Sequence, residues 1–69
     1  MTTKEMGTLI AQRRKLFTLT QDDLAEMAGI SANSVRKIER GQTNPTVEIL
    51  LKLGQVLGFR IELTILHTI

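Results

Sequence analysis

Apolar residues recur at helical spacing in four separate stretches of this 69-residue chain, and then switch to alternation. Thr2 with Glu5 three residues on fits a capping box, which opens a first helix. Met6, Leu9, Ile10 and Phe17 supply its apolar stripe, and Lys15 near its end has the favourable sign for the helix dipole. Leu16–Leu19 reads as a short connection. Thr20 with Asp23 repeats the capping signal, and Leu24, Ala25 and Ala28 form the inner face of a second helix. Gly29 stops it, where a left-handed residue is usually required, and Ile30 plugs the turn. Ser31 caps a third helix that runs to Arg40, and Gly41 ends it. Gln42–Pro45 is turn-rich, and Pro45 cannot continue a helix. Thr46 opens a fourth, ending near Gly58, with two apolar stripes: Val47, Leu50, Leu51 and Leu57, and Ile49, Leu53 and Val56. Two stripes exceed what one small core needs, so this helix is either central to the bundle or shared with a partner.

From Phe59 onward the period becomes two. Phe59, Ile61, Leu63 and Ile65 alternate with Arg60, Glu62 and Thr64, which predicts a strand. A lone strand leaves its ladder groups unpaired. The expectation is therefore pairing across a homodimer, with Phe59, Ile61, Leu63 and Ile65 at the interface. The plain alternative is a frayed or fifth-helix tail. The predicted fold is all-α, four helices plus this C-terminal strand, divided into residues 1–58 and a dimerisation segment 59–69.

Composition narrows the function. The chain has no cysteine and one histidine, His67, so zinc held by His and Cys is excluded within one chain. No cofactor is implied. No catalytic constellation surrounds His67, which reads as a tail residue, and no phosphate-binding glycine loop occurs, so an enzyme is not expected. No apolar run is long enough to span a bilayer, which makes the cytoplasm the default location. A domain this small is marginal alone, and oligomerisation is the simplest second stabiliser. The net charge of +2 is a weak signal by itself. Its placement says more: Arg13, Arg14 and Lys15 form one basic cluster, and Arg36, Lys37 and Arg40 another.

The second cluster lies on the third helix, which has two faces at about 100° per residue. Val35 and Ile38 share one side and want a core. Ala32, Asn33, Arg36, Lys37 and Arg40 share the other, the inventory for reading base edges in a major groove. Ala25 is small where a second helix crosses closely, Gly29 tolerates the turn, and Ile30, Val35 and Ile38 anchor it. These are the requirements of a helix-turn-helix.

The stretches Leu19–Ala25, Ala28–Ser31, Val35–Gly41 and Asn44–Thr46 together resemble the Cro/cI-type, lambda-repressor-like helix-turn-helix family, over Met6–Gly58. The resemblance implies a homodimeric repressor on a palindromic double-stranded operator, with two copies of the third helix roughly 34–36 Å apart. By matched position it implies base contacts from Ala32, Asn33, Arg36 and Lys37. It implies phosphate contacts from Gln21 and, around the third helix and the loop after it, from Ser31, Ser34, Arg40, Gln42 and Asn44. It also implies an internal salt bridge from Arg14 to Glu39. Gln21 could instead be a good first-turn residue, and Lys37 a tracker of phosphate. Arg13 and Lys15 read as surface charge. A compact helix-turn-helix ending in Phe59-Arg60-Ile61-Glu62-Leu63-Thr64-Ile65 further resembles the antitoxins of HipA-type modules, which implies a HipA-like kinase toxin as a partner. A different class of reading is a protein-docking module whose helix-turn-helix face meets no DNA.

Overall fold

The computed structural model describes residues 1–67 and contains four helices: α1 (Thr3–Leu16), α2 (Gln21–Ala28), α3 (Ala32–Glu39) and α4 (Val47–Leu57). Each starts where a hydroxyl side chain accepts a hydrogen bond from an otherwise orphaned N–H of the first turn. Thr2 accepts from Glu5, Thr20 from Asp23, Ser31 from Ser34 and Thr46 from Ile49. At Thr2 and Thr20 the carboxylate bonds back to the cap N–H, closing both capping boxes.

The ends share one solution as well. Three helices stop with paired bonds around a left-handed residue: Gly29 and Ile30 donate to Glu26 and Ala25, and Gly41 and Gln42 to Ile38 and Lys37. At the end of α1 the same pair of bonds runs from Thr18 to Lys15 and from Leu19 to Arg14. There a threonine stands in the left-handed position, at φ 57°. Phe17 is therefore not part of the α1 stripe. It is the C-cap and is 44% exposed, with the Arg13 guanidinium 5.1 Å from its ring centre. Helix α3 ends at Glu39, with Arg40 as its cap rather than its last residue.

Packing follows from the stripes. Ile10 of α1, Leu24, Ala25 and Ala28 of α2, Val35 and Ile38 of α3, and Leu53 and Leu57 of α4 form one buried cluster. Helix α3 packs on α1 and α2, and α4 on α2 and α1. Close approach of α1 to the end of α3 requires Gly7, where any Cβ would collide with the Ile38 carbonyl. The two stripes of α4 are sorted by this core. Leu53 and Leu57 go in, with Ile49, Leu50 and Val56 partly covered, while Val47 and Leu51 stay exposed. Leu9 of the expected α1 stripe is exposed too.

The C-terminal segment corrects the expected strand. Among the described residues no strand forms, and residues 59–67 belong to no helix or ladder. A strand consists of bonds to a neighbour, and a single chain offers this segment no neighbour. Within the single chain Phe59, expected at a dimer interface, packs in part against its own core and covers Gly54. Ile61, Leu63 and Ile65 remain exposed, and residues 68 and 69 of the expected segment lie outside the described residues.

Candidate nucleic-acid interface

The site begins with the shape of α3. Val35 and Ile38 are almost fully buried, so the opposite side of this eight-residue helix faces outward. Asn33, Lys37 and Arg40 are exposed, and Arg36 is 43% exposed at its side chain. Ala32 and Ser34 are half-buried, and Ser31 is exposed beside them. The Ser31 hydroxyl is engaged by the Ser34 N–H at 3.1 Å and lies 2.8 Å from the Ser34 hydroxyl.

Behind this face lies a polar network. The Arg14 guanidinium donates to both oxygens of Glu39, at 2.7 and 3.0 Å, and to the Leu19 carbonyl at 2.8 Å. The two side chains are only 12% and 6% exposed. Glu39 holds the Arg14 charge and raises its pKa further above the ordinary range. The bridge implied by the family resemblance is present. Burying Glu39 also resolves an electrostatic conflict, since an exposed carboxylate on this helix would repel phosphate.

Glu39 has a second partner. The Gln21 amide donates to it at 3.0 Å. Gln21 is the first residue of α2, beside that helix's free N–H groups. Its amide has two hydrogens, and Glu39 takes one. The side chain is thus fixed in place with a donor left over.

Other residues are placed by contacts that spacing along the chain does not reveal. Asp22 lies 4.0 Å from the Arg36 guanidinium, at the outer edge of the α2–α3 pair. Asn44 pairs with Thr3, so the loop after α3 is tied to the start of α1. Lys4 sits against Gly41, at the end of α3. Gln42 and Arg40 are exposed without a side-chain bond among the described residues. Arg13 is not surface charge: it donates twice to the Leu57 carbonyl, at 3.0 and 2.7 Å, satisfying the end of α4. Among the described residues no group of three His, Asp or Glu side chains gathers to hold a metal.

Two short helices, a glycine turn, a buried inner face and a cationic outer face define a helix-turn-helix module. The helix-turn-helix family model matches residues 10–63, and the chain belongs to this lambda-repressor-like family. Its relatives include an uncharacterised HTH-type transcriptional regulator of Methanocaldococcus jannaschii, 37% identical over 71% of this chain and 74% of the relative. The repressor protein C2 of Salmonella phage P22 is 39% identical over 83% of this chain and 26% of that protein. Among solved structures, the restriction-modification controller protein C.AhdI from Aeromonas hydrophila superposes with a TM-score of 0.81 and 29% identity, covering 84% of this chain and 88% of that one. These relatives are regulators and repressors by name, and the further likeness to HipA-type antitoxins gains no support from them. No helix among the described residues is long and apolar enough to cross a membrane.

Proposed function

We propose that this chain is a sequence-specific DNA-binding regulator that represses transcription as a homodimer on a palindromic operator. The observation that carries this reading is the split of α3, with Val35 and Ile38 sealed in the core and Asn33, Arg36, Lys37 and Arg40 turned outward. Arg36 pairs with guanine through its planar fork, Asn33 with adenine, and the Ala32 methyl meets a thymine methyl. Lys37 reads a base or follows phosphate as a point charge. Gln21, Ser31, Ser34, Arg40, Gln42 and Asn44 hold the backbone and set the register. The fixed Gln21 amide and the free N–H groups of α2 suit an anion between them. Residues 1–58 form the DNA-binding unit, and the segment from Phe59 joins two copies. The place of action is the cytoplasm, at the DNA.

The test is binding of the purified chain to the DNA upstream of its own gene across a salt series, with and without Arg36→Ala. Tight binding that weakens steeply with salt is expected for the parent chain. The substitution costs about 1–3 kcal/mol on the operator and relaxes selectivity at one base pair. Equal affinity of the parent for operator and random DNA would leave a protein-docking module as the better reading.

A further inference from the structure

We infer that Asp22 is a specificity-determining residue: its carboxylate, beside Arg36 at the edge of the α2–α3 pair, keeps the guanidinium off backbone phosphate and leaves it to pair with a base. The inference rests on the DNA-binding reading above and adds a residue which that reading does not use.

Asp22 Oδ1 lies 4.0 Å from Arg36 Nη1, and the two side chains are 83% and 43% exposed. The contact is therefore at the surface. Local capping does not account for it. A carboxylate in the first turn of a helix favours its dipole, but Asp23 already supplies one there, and Asp23 is the residue that closes the capping box with Thr20. Asp22 is left over, next to Gln21, in the turn proposed to meet phosphate. An exposed carboxylate in that place weakens any DNA complex by repulsion. Lys37 and Arg40 form no ion pair among the described residues. The acid thus stands beside the one cation within α3 whose planar fork suits a base.

The two targets of an arginine respond differently to such a neighbour. A guanidinium has five N–H donors, and guanine takes two of them through O6 and N7. At 4.0 Å Asp22 is beyond hydrogen-bond distance of Nη1. Arg36 keeps its donors for a base. A guanine edge carries no net charge, so the carboxylate tolerates it. A phosphate is an anion, and holding it at Arg36 brings two negative charges to one guanidinium. Asp22 acts chiefly on the non-specific complex, in which phosphate supplies almost all of the binding. Its general repulsion of the DNA backbone is common to both complexes and cancels in the ratio of their affinities. What remains in that ratio is the part exerted through Arg36. Asp22 is a positioning residue, since it acts on the DNA through another side chain.

The experiment measures affinity by fluorescence anisotropy for the DNA upstream of the chain's own gene and for a scrambled duplex of equal length, across a salt series. The parent chain is compared with Asp22→Asn, Asp22→Glu, Arg36→Ala and the double variant Asp22→Asn with Arg36→Ala, each shown to be folded by urea unfolding. Asp22→Asn should lower the ratio of upstream to scrambled affinity about fivefold, the worth of one charge pair at contact distance in water. On scrambled DNA its salt slope should steepen by about one, for one more phosphate neutralised. In the Arg36→Ala background the same substitution should leave the ratio unchanged. Asp22→Glu, which keeps the charge, should keep the parent ratio. A ratio unmoved by Asp22→Asn, or moved equally without Arg36, would overturn the inference and leave the DNA-binding reading standing. A parent chain with no preference for its upstream DNA would overturn that reading, and the inference with it.

Discussion

Arg14 and Glu39, one on α1 and the other the last residue of α3, form a two-pronged ion pair at 2.7 and 3.0 Å that solvent scarcely reaches. Glu39 also accepts the Gln21 amide at 3.0 Å, so the pair fixes α1, α2 and α3 at once. Taking either partner away leaves a desolvated charge with only one neutral hydrogen-bond partner, Leu19 for Arg14 or Gln21 for Glu39. Arg14→Ala or Glu39→Ala should therefore destabilise the fold by about 3–5 kcal/mol, measured by urea unfolding. That is a large share of what a small domain has, so little folded protein should remain at 37 °C. A change below 1 kcal/mol would mean that the bridge is a surface pair in solution.

At Gly7 two opposing effects can be ranked. Alanine favours a helix over glycine by about 1 kcal/mol. Its methyl group here would be driven into the Ile38 carbonyl, with the Glu39 carbonyl oxygen 3.0 Å away. Backbone on both sides cannot yield cheaply, and overpacking costs about 1–3 kcal/mol. Gly7→Ala should lower the thermal midpoint, despite the better propensity of the new residue. A raised midpoint would show that α1 stands further from α3.

Thr18 offers the reverse case. It occupies the left-handed position that Gly29, Gly41 and Gly58 take at the other three helix ends. A β-branched residue there is strained. Thr18→Gly should stabilise the protein by about 1 kcal/mol, seen as a higher urea midpoint. Equal midpoints would show that the threonine carries no penalty.

The capping boxes predict an acid response. Backbone and side-chain hydrogen bonds from Thr20 hold Asp23 below its ordinary pKa, and Thr2 does the same for Glu5. A depressed carboxylate contributes its stability above the unfolded-state pKa, near 4, and loses it as pH falls through the folded value. Stability should be flat from pH 7 to 5 and fall below about pH 4. Thr20→Ala should cost about 1 kcal/mol at pH 7 and flatten part of that fall. An unchanged acid profile in this variant would place the response elsewhere.

Gln21 and Arg36 should separate on DNA. In the proposed reading Gln21 meets phosphate and Arg36 meets a base. Gln21→Ala should weaken operator and random DNA alike, whereas Arg36→Ala should weaken the operator selectively. Fluorescence anisotropy on both DNAs distinguishes the two, and equal losses for both variants would remove the division of roles.

Local rules made the helix starts and most of the stops readable. Thr2, Thr20, Ser31 and Thr46 sit where caps are needed, and Gly29, Gly41 and Gly58 where a left-handed residue is needed. The end of α1 carries no glycine, so its identical bond pattern around Thr18 left no trace in composition. The two faces of α3 were readable because Val35 and Ile38 lie one turn apart. The Arg14–Glu39 bridge came from the family resemblance, since a separation of 25 residues has no period to expose it.

The sequence by itself determined the four helices, the inner and outer faces of α3 and the cationic inventory of the outer one, because each depends on residues within a turn or two. Tertiary structure decided that the core takes Leu53 from one α4 stripe and Leu57 from the other, that Arg13 caps Leu57, that Asp22 faces Arg36, and that Phe59 closes over Gly54. It also withheld a strand from the tail. These outcomes join parts of the chain far apart in sequence, and hydrogen bonds and close packing are satisfied only where the folded backbone brings the partners together.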